Sequence, residues 1–196
     1  MTEPTTRRGR ERKSAIVSAA AALMYERGVR ATGLDEVLAA AGCGKSQLYH
    51  YFSSKDELGA AVLEHQLALV LGELSHFRLN TWSGIRAWFD ALVEGQAERG
   101  FRGCLVGALA VEMSAAGGKS QQRVAEAFAR WETTLAEGLE HMRQQGKLTS
   151  SARPAALAQA TLASIQGGYL LSTAHHDIGP MRAALTAAYA RLRSFA

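Results

Sequence analysis

Apolar residues recur along this chain at the three- and four-residue spacing of a helix face, and nowhere in the strict alternation of a half-buried strand. That pattern predicts an all-α chain. Ile16, Ala19, Ala20, Leu23 and Met24 open it, on a helix expected over 10–27 and closed by Gly28. Thr32, with Asp35 three residues later, has the form of a capping box and predicts a short helix turning Leu34, Val37, Leu38 and Ala41 inward. Gly42-Cys43-Gly44 reads as a tight turn and 45–52 as a second short helix. Ser54 with Glu57 then caps a long helix through Leu58, Val62 and Leu69. Breaks near Asn80, Gly100, Gly117–Gly118, Gly146–Pro154 and Gly179–Pro180 delimit further helices over 82–99, 104–115, 120–145, 154–175 and 180–194. The 3 prolines and 19 glycines, with abundant alanine, fit helices punctuated by glycine.

Several function classes drop out on composition and spacing. No apolar run reaches the roughly 20 residues needed to span a bilayer, so no membrane partner is expected. The N-terminal MTEPTTRRGRERK has no apolar core and is not read as a secretory signal; with only the distant Cys43 and Cys104, the expected location is cytoplasmic. Histidines at 50, 65, 76, 141, 175 and 176 show no HExxH or Cys/His spacing. His175-His176-Asp177 reads as a polar helix end, because adjacent helical residues do not face one ligand position. Without a G-x-S-x-G or dinucleotide fingerprint, no enzyme, metal or cofactor is expected.

The net charge of +4 matters less than where the charge lies. Arg7, Arg8, Arg10, Arg12 and Lys13 fall within seven residues, opposed there only by Glu11. They are expected to form a flexible basic arm that favours a polyanion, nucleic acid above all.

Thirty residues on stands GCGKSQLYHYF, Gly42 to Phe52. Its GKS matches the tail of a phosphate-binding loop, but the required earlier glycine is Ala39; for the second GKS, at Gly118, it is Met113. Neither follows a strand, so the nucleotide reading fails. Placed on a helix, Leu48 and Phe52 lie on one side, where they can pack. Ser46 and His50 point the other way, flanked by Gln47 with Tyr51 and by Lys45 with Tyr49. A short helix after a tight turn, with such a face exposed, is what the second helix of a helix-turn-helix requires. Gln47 suits the N6 and N7 edge of adenine, and Lys45 suits guanine or a phosphate. His50 can meet a base edge, while Tyr49, Tyr51 and Lys55 suit phosphates beside the groove.

Residues 12–63 closely resemble the N-terminal domain of TetR-type transcriptional regulators, through AIVSAAAALMYERGVRATGLDEVLAAAGCGKSQLYHYFSSKDEL. The core A-G-x-x-K-x-x-L-Y-x-x-F-x-x-K runs from Ala41 to Lys55. The resemblance implies a basic arm and three-helix DNA-binding domain over 1–54, then a larger helical effector-binding and dimerisation domain over 55–196. It also implies that Lys45, Ser46, Gln47, Tyr49, His50, Tyr51 and Lys55 face DNA, together with Thr32 and Arg7, Arg8 and Arg10 of the arm. Gly33 departs from the Thr or Ser, and Gly44 from the Ser, that the family often has at those places, which removes two hydroxyl contacts to phosphate.

The implied partners are a palindromic duplex operator, a second copy of the chain and a small, apolar or aromatic effector that releases a repressor. Small residues along Ala156, Ala160, Ala163, Ser164, Gly167 and Gly168 favour close helix approach. With Leu171, Leu185, Tyr189 and Leu192 they are the expected dimer surface, internal packing being the alternative. The expected effector residues are Trp88, Phe89, Phe101, Cys104, Leu105, Leu109, Met113, Phe128, Trp131 and Tyr169; each is also an ordinary core residue by type. Arg102 to Met113 resembles a subgroup of these regulators, some of which respond to flavonoids, quinones or electrophiles. Cys104 begins a helix there, beside Arg99 and Arg102, so a reactive sensor thiol is one reading and a buried small hydrophobe the other. A helical interaction module without specific DNA binding is the remaining alternative, distinguished by a lack of salt-dependent duplex binding.

Overall fold

The computed structural model describes residues 4–196. In chain order these form α1 (Arg7–Arg27), α2 (Leu34–Ala41), α3 (Lys45–Tyr51), α4 (Lys55–Leu74), α5 (Trp82–Glu98), α6 (Leu105–Ala115), α7 (Gly118–Gln144), α8 (Pro154–His175) and α9 (Gly179–Arg193), with no strand among the described residues. The all-α class is as expected, and helix ends lie close to those read from glycine and proline. Gly28, Gly42 and Gly146 follow α1, α2 and α7 with φ of 89°, 60° and 69°, a backbone that residues with a Cβ rarely adopt.

Two helix starts differ from expectation. α1 begins at Arg7, because the Thr6 hydroxyl accepts the Gly9 N–H at 3.1 Å and caps it. Arg7, Arg8 and Arg10 therefore stand on its first turns instead of on a flexible arm; residues 1–3 of the expected arm lie outside the described residues. α2 begins one residue later than a Thr32 cap would place it. Gly33 is the N-cap, and its N–H donates to Glu36 Oε2 at 2.9 Å. The Thr32 hydroxyl instead donates to the Gly28 carbonyl at 2.8 Å, within the turn. The start of α4 follows expectation: Ser54 Oγ accepts the Glu57 N–H at 3.2 Å, and Glu57 Oε2 accepts the Ser53 N–H at 2.9 Å.

The chain forms two compact units. The first takes the described residues up to Val70 together with Leu105–Ala127. Its core gathers Ile16, Met24, Val37, Phe52, Leu58 and Leu109, all essentially inaccessible to solvent. The expected boundary after residue 54 falls inside this unit, because Leu58, Val62, Leu63 and Leu67 of α4 are fully buried within it. The second unit takes Leu71–Cys104 and Phe128–Ala196. There α8 lies against α9 so closely that a Cβ on Gly168 would come within 2.7 Å of Met181 Sδ and 3.3 Å of Ala184 Cβ. The Met181 N–H also donates to the buried Ser172 hydroxyl at 3.0 Å.

Candidate nucleic-acid interface

The reading helix is short and held from beneath. Gly44 caps α3 without a side chain, its carbonyl accepting from the Gln47 and Leu48 amides at 3.0 and 3.3 Å. Leu48 and Phe52, at 1% and 0% exposure, anchor the helix to the core of the first unit. Ser46, Gln47, Tyr49 and His50 are left in solvent, Tyr49 with 55% of its surface exposed. Lys45 is also exposed and pairs with Asp35 of α2 at 3.1 Å, a contact that water screens strongly. Arg7, Arg8 and Arg10 are exposed on the first turns of α1.

Three expected DNA contacts are placed otherwise. Tyr51 is only 8% exposed, with its ring edge-on to His50 and Phe52 at 4.9 and 6.4 Å between centroids. Three residues past Leu48, it lies about 60° from it around the helix, inside the buried arc. Thr32 is 1% exposed and cannot reach a phosphate. Lys55 is half-buried, and its ammonium donates to the Arg30 carbonyl at 3.0 Å, so it serves the turn between α1 and α2.

Carboxylates beside this surface stay ionised. Glu36 is held below the usual carboxylate range first by the Gly33 N–H and then by the charge of Arg27, 2.6 Å away. Glu57 is lowered first by the Ser53 N–H, then by the Ser53 side-chain hydrogen bond, with a smaller effect from the charge of Arg123. Sequence reasoning missed Glu112 of α6, whose two oxygens accept the Val29 and Arg30 amides at 3.1 and 2.8 Å. No local pattern points to it, since its partners lie more than eighty residues away.

A family model of bacterial tetR-family regulatory proteins matches residues 16–62, the span from α1 through α3 into α4. A second, for the C-terminal domain of LmrA/YxaF-like transcriptional regulators, matches residues 82–187, more than half of the chain. The chain belongs to the TetR family of transcriptional regulators. This TetR-family regulator is 30% identical over 175 residues to an uncharacterised HTH-type transcriptional regulator in the lacX 3' region of Lactococcus lactis, covering 86% of this chain and 87% of that one. It is 27% identical over 169 residues to the HTH-type transcriptional repressor NemR of Escherichia coli K12, covering 83% and 84%. The solved reduced form of E. coli NemR superposes with a TM-score of 0.76 at 26% identity, over 90% of this chain and 95% of that one. A TetR regulatory protein from Rhodobacter sphaeroides gives a TM-score of 0.80 at 26% identity, covering 90% and 96%. The family is one of DNA-binding regulators, not of enzymes, and among the described residues no helix is long and apolar enough to cross a membrane.

The regulator's expected effector residues divide between its units. Leu105, Leu109 and Met113 belong to the first, where Leu109 and Met113 are buried and Leu105 is half-buried. Trp88, Phe89, Cys104, Trp131 and Tyr169 are buried in the second, with Phe101 and Phe128 half-buried. Within that unit the turn after α5 carries three positive φ values, at Gly100, Phe101 and Gly103. Gln96, fully buried, holds it: Oε1 accepts the Gly103 N–H at 3.2 Å and Nε2 donates to Thr173 Oγ1 at 3.3 Å. Cys104 follows, its sulfur accepting from Gln166 Nε2 at 3.5 Å, while Arg99 donates to the Tyr169 hydroxyl at 3.4 Å. The indole N–H of Trp131 is buried without a partner among the described residues. Cys43, in the turn before α3, is half-buried.

The expected dimer residues also separate. Ala156, Ala160 and Ala163 are exposed along α8, in line with Leu170 and Leu171 at 69% and 50% exposure; Ser164 and Gly167 are half-buried. Gly168, Leu185 and Leu192 are buried within one chain, Gly168 against Met181 and Ala184 of α9, so they are not available to a partner. Tyr189 is half-buried, edge-on to Trp82 and Phe89 at 6.0 and 6.4 Å, with the Arg86 guanidinium 4.7 Å from its ring.

Proposed function

We propose that this regulator reads a palindromic operator as a homodimer in the cytoplasm, represses transcription there, and is released by a small apolar or aromatic effector. The exposed row Lys45, Ser46, Gln47, Tyr49 and His50, on a helix anchored by Leu48 and Phe52, carries the reading. It offers amide, imidazole, hydroxyl and ammonium groups to base edges, and α1 adds Arg7, Arg8 and Arg10 for phosphates. The exposed Ala156, Ala160, Ala163, Leu170 and Leu171 supply an apolar face for a second copy. Two-fold pairing sets two reading helices roughly 34–36 Å apart, or a multiple of that, on a palindrome. The repressor sense draws on NemR, which is named a repressor.

The effector site is assigned to the second unit, which gathers Trp88, Phe89, Phe101, Phe128, Trp131 and Tyr169. The unpartnered Trp131 indole favours an effector that carries a hydrogen-bond acceptor. Its binding alters the spacing of the two reading helices, for which a coupling of about 1–3 kcal/mol is enough. A second reading makes Cys104 the sensor, its thiol oxidised or alkylated to release DNA. It is favoured by the position of Cys104 between the strained turn and α6, and by likeness to a protein solved in a form called reduced. Cys104→Ser that still releases DNA on electrophile treatment rules this second reading out.

Selection from a randomised duplex pool at moderate salt, with sequencing and mass measurement of the bound species, tests the main proposal. An enriched palindrome carrying two chains is expected. Equal, weak binding to every duplex overturns it.

A further inference from the structure

The turn over residues 28–33 sets the angle at which α2, and beyond it α3, leaves α1. Within the turn, the Gly28 N–H donates to the Met24 carbonyl at 2.9 Å and the Thr32 hydroxyl to the Gly28 carbonyl at 2.8 Å, and neither bond holds the Val29 or Arg30 amide. The Arg30 peptide is instead held on both sides by charged side chains from distant elements. Glu112 of α6 takes the Val29 N–H on one carboxylate oxygen at 3.1 Å and the Arg30 N–H on the other at 2.8 Å. Lys55, at the start of α4, donates to the Arg30 carbonyl at 3.0 Å. All these residues lie in the first unit. Gly28 is part of the arrangement, because a Cβ there would run into the Glu112 carboxylate.

We propose that Glu112 is a positioning residue for DNA reading, clamping the turn between α1 and α2 with Lys55 as its counterpart. The proposal rests on the DNA-reading function above and assigns that function a residue outside the reading helix. Two charge-assisted bonds from one planar carboxylate to successive amides are satisfied in one orientation of the turn only. Without them the amides turn to water, the turn samples several orientations, and α3 must be ordered again at each binding event.

The test uses the full chain with Glu112→Ala and Glu112→Gln, the palindrome selected by the wild type, and amide hydrogen exchange. In Glu112→Ala, exchange at Val29 and Arg30 quickens while the interior of α1 keeps its protection. Affinity for the palindrome falls about tenfold, in the range typical of coupling between sites. The salt dependence stays as in wild type, because no phosphate contact is lost. Glu112→Gln keeps one accepting oxygen, so it retains one bond and falls between the two. Wild-type affinity in Glu112→Ala overturns the proposal, as does loss of protection throughout α1, which would mark a residue that merely supports folding. A wild type that selects no duplex is a different failure, that of the DNA-reading function, and the proposal falls with it.

Discussion

Replacing Leu48 and, separately, Gln47 with alanine gives opposite results, because these neighbours leave α3 about 100° apart, one into the core and the other into solvent. Leu48 is 1% exposed and packed into the first unit beside Phe52. Truncating it removes buried methyl groups and leaves a cavity, costing about 3 kcal/mol. Against a total stability on the order of 5–15 kcal/mol, that lowers the urea midpoint by about 1–2 M. Gln47 is exposed, so its removal changes stability by less than about 0.5 kcal/mol. Losing a bidentate base contact, however, costs about 2 kcal/mol of discrimination in each half-site, close to thirtyfold. Urea unfolding followed by circular dichroism measures the first effect. Fluorescence anisotropy with the selected palindrome and a scrambled duplex measures the second. The reasoning is refuted if Gln47→Ala lowers the midpoint as much as Leu48→Ala, or prefers the palindrome as strongly as wild type.

Thr32→Val removes the donor to the Gly28 carbonyl and costs about 1 kcal/mol of stability, while affinity for duplex DNA stays that of wild type; unchanged stability with weaker binding to every duplex would restore Thr32 as a phosphate contact. Glu36 and Glu57 have carboxyls depressed in the folded chain, so their contribution is present above the unfolded value of about 4.3 and is lost as pH falls through the folded values. The double variant Glu36→Gln, Glu57→Gln is therefore less sensitive to acid than wild type in urea unfolding between pH 7 and pH 3; equal sensitivity contradicts this. Gly138→Ala would place a Cβ 2.7 Å from Leu79 Cβ and 3.0 Å from its backbone, which cannot move aside. Overpacking then outweighs the helix-propensity gain by about 1 kcal/mol and lowers Tm by about 2–4 °C. Gly72→Ala, in a helix with open space around it, raises Tm instead.

Helix existence and ends were legible because glycine and proline punctuate the chain and the apolar spacing between them has a single period. The burial of Leu48 and Phe52 followed from the same spacing. Tyr51 was misplaced because a seven-residue helix packed from two sides buries a wider arc than one stripe. Thr32 was misread by one residue: two capping boxes overlap, Thr32 with Asp35 and Gly33 with Glu36, and the hydroxyl had a better acceptor in the Gly28 carbonyl. Small residues on α8 marked close helix approach correctly, but spacing alone does not say whether the neighbour is α9 of the same chain or a second copy. Gly168 faces the first, Ala156 and Ala160 are open to the second. The Glu112 clamp had no local signal, since a bond across eighty residues leaves no period behind.

The central claim is that α3 reads base edges in the major groove. Its most direct test replaces single purines of the selected palindrome with 7-deazapurines, which lack the N7 acceptor presented there. Affinity is expected to fall at a few symmetric positions in each half-site, and Gln47→Ala to become indifferent to one of them. Unchanged binding at every substituted position would contradict the account.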